Sequence, residues 1–271
     1  KQNIEKLMKK KSFFVSIIIT NFNKEKYIYQ TIKSALNQKY KKFEIIVIDN
    51  FSSDNSYEII SKFRNIKLLF NKQKKTGALN QIKSIEIGLK NCRGNIVCLL
   101  DGDDLFNKNK VSQIVNFFNK NPNCDAVLDL PIIFENINKP INFSYDKKRE
   151  TKSSIWPTTF PTSTISIRKN YLKKCIQVFK KNNFQNLEID FRLCCLFSIT
   201  ENNYNILNKK LTYYRQVNDG IMSNYKKFRK RWWIKRSEAF NFFFYFKKKY
   251  KRQYSYSLDF FVTKIISKIL Q

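Results

Sequence analysis

The chain has 271 residues, 42% of them hydrophobic, enough to bury one sizeable core, so disorder is excluded as its main state. It contains no histidine, which excludes histidine-based acid–base, nucleophilic and metal-ligand chemistry and leaves that work to carboxylates, Lys, Tyr or Cys. Lys+Arg 52 against Asp+Glu 21 gives a formal net charge of +31, a field that attracts nucleic acid, an anionic membrane surface or phosphorylated substrates without choosing among them.

The run FFVSIIIT (13–20) is short, continuous and β-branched, and it ends at polar Asn21, as a strand buried on both faces should. NKEKYIYQTIKSALNQ follows, with Tyr27, Ile28, Thr31, Ile32, Ala35 and Leu36 at helical spacing. FEIIVID (43–49) predicts a second buried strand, and SSDNSYEIISKF the start of a second helix, where Asn55 and Glu58 have capping-box spacing. IKLLFN (66–71) predicts a third strand; a turn holding Gly77 and a helix over 78–90 then lead to GNIVCLL (94–100), the fourth. Successive βα units predict a parallel sheet. In open α/β sheets ligands bind outside the carboxyl ends of the strands, so Thr20, Asn21, Asp49 and Asp101 to Asp104 are expected to converge on one crevice.

The fourth strand delivers CLLDGDDLF (98–106), three carboxylates within four residues. A carboxylate just past a strand is often a turn residue or a helix N-cap, and Asp104 before LFNKNKVSQIVNFF suits that role. Asp101 and Asp103 would repel one another unless a cation or hydrogen-bond donors offset them; oxygen ligands at this spacing suit Mg²⁺ or Mn²⁺ completed by a phosphate. Asp49 could accept a hydrogen bond from a base N–H such as uracil N3, and Asp54 could do the same or cap the next helix. Gly77 lets a backbone approach a nucleotide, or only makes its turn.

VSIIITNFNKEKYIYQTIKSALNQKYKKFEIIVIDNFSSDNS, GALNQIKSIEIGLKNCRGNIVCLLDGDD and the later DFRL together resemble the inverting glycosyltransferases of family 2 in order, spacing and strand context. The resemblance implies an α/β fold of the A-type nucleotide-sugar-binding kind (GT-A): a single domain with a Rossmann-like, mostly parallel sheet flanked by helices, and then a basic, aromatic helical C-terminal extension. The expected boundaries are 12–220 for the catalytic domain and 221–271 for the extension. Within the domain, 12–112 is the nucleotide-binding half and 113–220 the acceptor-binding half.

Carried over position by position, the resemblance places Thr20, Asn21 and Asn23 at the nucleotide-facing end of the first strand, Asp49 at the uracil-binding position and Asp54 at the second acidic position beside it. Asp101 becomes the aspartate that contacts ribose or metal, and Asp103 the metal ligand on the donor diphosphate, with Mn²⁺ or Mg²⁺ as the implied cofactor. TNFN stands where a proline and a tyrosine are common, and Ile189 stands at the glutamate of the usual Glu-Asp pair.

That pair falls in NLEIDFRLCCLF (186–197), a predicted helix with Leu193, Leu196 and Phe197 toward the core. In an inverting displacement the acceptor hydroxyl attacks the anomeric carbon opposite the leaving nucleoside diphosphate, so a carboxylate must take its proton. The resemblance puts Asp190 at this base position, with Glu188 as the alternative base. Glu188 also precedes Arg192 by four residues, the spacing of an ordinary surface ion pair, and a base near a positive helix end and several lysines is expected to stay ionised. Trp156, within 147–174, either stacks on an acceptor sugar or packs its own loop. Arg215, in the late strand and mobile loop TYYRQVNDGIMSN (212–224), either clamps the diphosphate or pairs at the surface.

The tail changes character: Trp232, Trp233, Phe240, Phe242, Phe243 and Phe244 are interleaved with clusters of Lys and Arg. Such a segment either lies in a bilayer interface or packs its aromatic face on the catalytic domain as a helical hairpin. The six cysteines, Cys92, Cys98, Cys124, Cys175, Cys194 and Cys195, show no CxxC pair or zinc spacing, which fits a reducing compartment. No apolar stretch of about 18 residues occurs, and KQNIEKLMKKK lacks the core of a signal peptide, so neither a membrane span nor secretion is expected.

Taken with the resemblance, the expected partners are a nucleotide-sugar donor, a UDP-sugar first, and a glycan or lipid-linked glycan acceptor of cell-surface polysaccharide or lipopolysaccharide synthesis. The expected setting is cytoplasmic, with the inner membrane face reached through 221–271. Two other readings stay open on the residues alone. A nucleotidyltransferase of related α/β fold would carry a Gly-rich basic phosphate loop where this chain has TNFNKEKY; a basic nucleic-acid-binding protein would leave the acidic crevice unexplained, and no nucleic-acid partner is expected.

Overall fold

The computed structural model describes residues 12–136, 139–141, 156–180, 184–200, 204–217, 220 and 225–270. Four apolar runs form parallel strands, β1 (Val15–Asn21), β2 (Phe43–Asp49), β3 (Lys67–Phe70) and β4 (Ile96–Asp101), side by side in the order β3-β2-β1-β4. Helices α1 (Ile28–Leu36), α2 (Ser56–Ser61) and α3 (Gly77–Asn91) make the connections. Side chains alternate across a strand, and both faces of β1, β2 and β4 are covered, which is why these three runs are mostly apolar, whereas β3 at the sheet edge exposes Lys67 and Phe70. Ile18, Ile46, Ile48, Val97 and Leu99 enter one core, while Ile17, Ile19, Ile45, Val47, Cys98 and Leu100 enter the other.

Beyond β4 the sheet is mixed. β5 (Leu105–Phe106), α4 (Lys110–Lys120), β6 (Ala126–Asn136), β7 (Lys139–Ile141), a 3-10 turn (Thr162–Thr164), β8 (Ile165–Arg168), α5 (Lys169–Lys180), α6 (Ile189–Thr200) and β9 (Tyr204–Arg215) follow in turn. The full order is β3-β2-β1-β4-β8-β6-β9-β5, with β7 on β6; β8 runs antiparallel to β4 and β6, and β9 runs parallel to β6 and antiparallel to β5. The Rossmann-like parallel part is thus the first half of the chain, and β8 turns the sheet toward the second.

The C-terminal extension is two helices, α7 (Lys230–Lys249) and α8 (Leu258–Ile269). Phe240, Phe242, Phe243, Phe244 and Phe246 of α7 are buried in the core that also holds Ile18, Ile48 and Leu99, so this part of the tail packs on the domain. Trp156 packs as well: its ring centroid lies 4.6 Å from Phe240, 6.0 Å from Phe191 and 6.1 Å from Phe243. All six cysteines are free and buried, as small apolar residues. No helix among the described residues is long and apolar enough to cross a membrane. Residues 1–11, the part of the 147–174 segment before Trp156, and 218–219 and 221–224 of the late loop lie outside the described residues.

Two local expectations are corrected. Asp104 does not cap the next helix: α4 starts at Lys110, and β5 intervenes to pair with β9. Asn55 precedes α2, yet its side chain makes no cap bond; it donates to Glu25 Oε2 at 3.0 Å instead, so no capping box forms.

Candidate active site

The carboxyl ends of β1, β2 and β4 lie in register, Thr20 beside Asp101 and Asn21 beside Asp49, which brings the expected residues to one sheet edge. Gly102 N–H donates to Thr20 O at 2.9 Å as the acidic loop turns over the end of β1. A Cβ at Gly102 would stand 2.6 Å from Asn21 Oδ1 and 3.2 Å from Thr20 O, so any larger residue here would displace the Asn21 side chain. Thr20 Oγ1 donates to Asp101 Oδ1 at 3.0 Å, and Gln81 Nε2 from α3 donates to the same oxygen at 2.8 Å.

At the β2 end, Asp49 is buried and knits the loop. It accepts from Asn21 Nδ2 (2.7 Å), Ser52 Oγ (2.6 Å) and Ser52 N–H (2.9 Å). Asn23, at φ 51°, donates its N–H to Ser52 Oγ at 2.9 Å and accepts from Ser53 N–H at 2.8 Å, a left-handed position that asparagine tolerates. Asp54 accepts from Ser56 N–H (3.0 Å) and Glu25 N–H (2.9 Å), thereby opening α2 and tying it to the first loop. Burial alone would raise its pKa, but the hydrogen bonds from Ser56 and Glu25 hold it below the ordinary range. Gly77 opens α3 just after its N-cap Thr76, whose hydroxyl accepts from Leu79 N–H.

The three carboxylates of the acidic loop have different surroundings. Asp103 pairs with Lys24 Nζ at 3.1 Å. Asp104 is fully buried and accepts from Ser163 Oγ (2.6 Å) and Arg215 N–H (2.8 Å). Ser163 Oγ in turn accepts from Asp101 N–H at 2.9 Å, so one hydroxyl on the 3-10 turn joins two of the aspartates. Burial, then the Asp103 charge, raises Asp101 to about 6 against the donors Gln81 and Thr20. Burial, Asp103 and Asp101 push Asp104 well above its ordinary value. Arg215 Nε donates to Asp103 O (2.9 Å) and Nη2 to Gln30 Oε1 (2.9 Å), while the guanidinium lies over Tyr27 and Phe134. It holds the acidic loop in place.

Asp190 stands in the first turn of α6 and accepts from Phe191 N–H at 2.7 Å. Burial, then Glu188, raises it to about 7, with a further push from Asp101. The expectation that a helix end and nearby lysines keep it strongly ionised is therefore corrected: desolvation outweighs them. Glu188 does not pair with Arg192 at the surface either. Its ion pair is with Lys235 of α7, and Arg192, itself fully buried, donates to the carbonyls of Leu187 and Phe184.

The family model for glycosyl transferase family 2 matches residues 16–176. The chain belongs to glycosyl transferase family 2. One Escherichia coli relative, UDP-Glc:alpha-D-GlcNAc-diphosphoundecaprenol beta-1,3-glucosyltransferase WfaP, is 36% identical over 108 residues, 38% of this chain and 40% of that protein. Poly(ribitol-phosphate) beta-N-acetylglucosaminyltransferase TarS of Staphylococcus aureus is 32% identical over 107 residues, 39% of this chain and 19% of its own length. The matched stretch thus spans two fifths or less of either relative. The crystal structure of S. aureus TarS with UDP-GlcNAc aligns at TM-score 0.58 and 18% identity, covering 84% of this chain and 66% of that one. Mannosyltransferase PcManGT from Pyrobaculum calidifontis, in complex with GDP-Man and Mn²⁺, aligns at TM-score 0.58 and 14% identity, covering 96% and 70%. These likenesses establish the GT-A fold.

In this family 2 chain the acidic loop fits a divalent cation. Asp103 already neutralises an ammonium, and Asp101 and Asp104 carry raised pKa values that added positive charge would lower. Gln81 Oε1 and Asn21 Oδ1, beside the same loop, are buried without a hydrogen-bond donor. Among the described residues no group of three His, Cys, Asp or Glu side chains is placed to hold a metal ion by itself.

Sequence reasoning missed several residues of this site. Gln81 and Ser163 reach Asp101 from α3 and the 3-10 turn, and only the folded register reveals them. Tyr214 of β9 also belongs here: burial and the charges of Asp104, Asp101, Asp190 and Asp103 push its phenol well above the ordinary value. Phe22 and Phe51 stand about half exposed at the same sheet edge; their position right after polar strand ends was the available signal.

Proposed function

We propose that this chain is an inverting glycosyltransferase, transferring a sugar from a nucleotide donor, a UDP-sugar first, to a glycan or lipid-linked glycan of the cell surface on the cytoplasmic side of the membrane. One observation supports it above the others: α3 links the acidic loop to the segment that leads into α6, because Gln81 Nε2 donates to Asp101 Oδ1 at 2.8 Å and the N-cap Thr76 Oγ1 donates to Gln185 O at 2.5 Å, while burial and Glu188 raise Asp190 to about 7. The names of WfaP and of the TarS complex, with UDP-Glc and UDP-GlcNAc, favour uridine donors.

In this reading Thr20, Asn21, Asn23 and Asp49 shape the nucleoside side of the site, with Asp54 fixing the loop and Gly77 opening α3 beside it. Asp103, with Asp101, would hold Mn²⁺ or Mg²⁺; when bound, the cation offsets charge that develops on the leaving diphosphate. Asp190 takes the acceptor hydroxyl proton as that oxygen bonds to the anomeric carbon and the bond from that carbon to the diphosphate oxygen breaks. Glu188, neutralised by Lys235, orients the turn that carries Asp190. Arg215 and Ser163 position the acidic loop.

A thermal-shift panel of UDP, UDP-Glc, UDP-GlcNAc and GDP-Man, each with and without Mn²⁺, tests this. Uridine nucleotides should stabilise the wild type and Asp190→Asn in a Mn²⁺-dependent way, but not Asp103→Ala. No response to any nucleotide, together with salt-sensitive RNA binding, would overturn the enzyme reading. Turnover retained in Asp190→Ala and lost in Glu188→Ala would transfer the base assignment.

A further inference from the structure

Helix α8 is folded against the usual order of polarity. Its inner side, toward α7, holds Phe260 with two small polar residues, Thr263 and Ser267, both buried. Phe260 meets Phe240 (5.4 Å) and Phe244 (5.3 Å), and Lys264 Nζ donates to Ser237 Oγ at 3.0 Å. The outer side holds Leu258, Phe261, Val262, Ile265 and Ile269, which at 100° per residue fall within about one third of the helix circumference. Leu258 is 80%, Ile269 77% and Ile265 61% exposed. Scattered exposed apolar residues need no explanation, but a continuous stripe on a helix that buries Thr and Ser instead does.

The surroundings of the stripe decide what covers it. Tyr256 lies 6.1 Å from Phe261 and 5.7 Å from Tyr254 between ring centroids, and both tyrosines are exposed, amphipathic rings of the kind found at bilayer interfaces. The last turn of α7 carries Lys247, Lys248 and Lys249, Lys251 follows in the connection, and Lys268 stands exposed on α8 itself, next to the stripe on the helix surface. A second copy of the chain would meet the stripe with the same net charge of +31. A 12-residue helix is also only about 18 Å long and about 10 Å wide, far below the roughly 800 Å² per partner of a stable protein interface. An anionic lipid surface matches both the apolar stripe and the positive charge of Lys268 and of the chain as a whole.

We propose that the outer face of α8 is a docking surface for an anionic lipid bilayer, with Phe261 and Ile265 at its centre and Lys268 on the headgroups. The five stripe residues enter the headgroup boundary while α7 stays packed on the domain. The surface works independently of sugar transfer: it needs no donor, cation or Asp190.

Flotation of the full chain with vesicles tests it. The wild type should float with vesicles of equal parts phosphatidylglycerol and phosphatidylcholine and remain unbound with phosphatidylcholine alone. The double variant Phe261→Glu/Ile265→Glu should lose at least about tenfold in vesicle affinity, because charge replaces the inserted residues. Both positions are exposed, so its melting temperature should match the wild type; a second pair, Leu258→Ser/Ile269→Ser, repeats the test should that variant misfold. Donor-induced thermal shifts should be equal in all of them, which separates failure of this surface from failure of the transferase reading. No flotation of the wild type, unchanged flotation of the double variant, or a wild-type dimer that the double variant dissociates would overturn the proposal.

Discussion

Asp190 is poised between two protonation states because its surroundings oppose each other. Burial and Glu188 raise its pKa to about 7, while Phe191 N–H and Lys235 pull the other way. A base must be ionised, so turnover should rise with pH through about 7 and level off above it, and this limb should vanish from the residual activity of Asp190→Asn. That variant should lose about 10²–10⁴ in kcat, the usual contribution of general base catalysis, with donor binding retained. Stability should change in the opposite sense. A carboxylate whose folded pKa is raised binds its proton more tightly when folded, so its ionisation costs nothing below about pH 4 and its full penalty above about pH 7. Asp190→Asn should therefore match the wild type in stability near pH 4 and exceed it at pH 8, by no more than about 4 kcal/mol. Melting curves at the two pH values check the sign.

At the scale of elements, the extension is part of the domain core rather than an appendage. Phe240 and Phe242 of α7 are fully buried among residues of the sheet and of α6, and Phe242 lies 5.1 Å from Phe184 and 6.1 Å from both Phe179 and Phe191 between ring centroids. Phe242→Ala should cost about 3–5 kcal/mol, read as a lowered denaturation midpoint, and a chain cut at residue 220 should fail to give soluble folded protein. A truncated chain that melts like the full one would refute this. The same element marks the limit of what sequence pattern can reveal. β1, β2 and β4 were legible because strands covered on both faces are mostly apolar, and their polar last residues, Asn21, Asp49 and Asp101, marked the site edge. β6 was not: it carries Asp129 and Pro131, with a register shift at Pro131, where a strand tolerates a proline. β9 was legible only over its last residues, from Thr212, because its first half exposes Asn205, Asn208, Lys209 and Lys210. The buried charges were equally hidden, because their partners are distant in the chain. Lys110 is buried against Asp129, with Thr212 Oγ1 at 2.7 Å, and Asp104 meets Ser163 and Arg215; in the linear sequence each looks like a solvated turn residue.

For the whole molecule, the net charge of +31 understates how basic the surface is. Asp49, Asp104, Asp129, Glu86 and Glu188 are all buried, so a good part of the acidic complement lies inside while most Lys and Arg remain in solvent. Close pairs offset this only locally: Glu86, for instance, is drawn to about 2 by Lys180, Lys83 and Lys90 against its burial. Pairs with such exposed lysines are each worth little, whereas repulsion among the remaining lysines acts over the whole surface and is screened beyond about 10 Å at 0.1 M salt. Repulsion should therefore dominate, and the melting temperature should rise by a few degrees between about 20 mM and about 300 mM NaCl. A fall over that range would mean that the ion pairs outweigh the net field. Vesicle flotation should respond in the opposite direction, weakening with salt because the same basic residues then act on lipid headgroups rather than on one another. A measurement of both quantities across one salt series therefore separates the two uses of the charge: self-repulsion, which salt relieves, and attraction to an anionic surface, which salt removes.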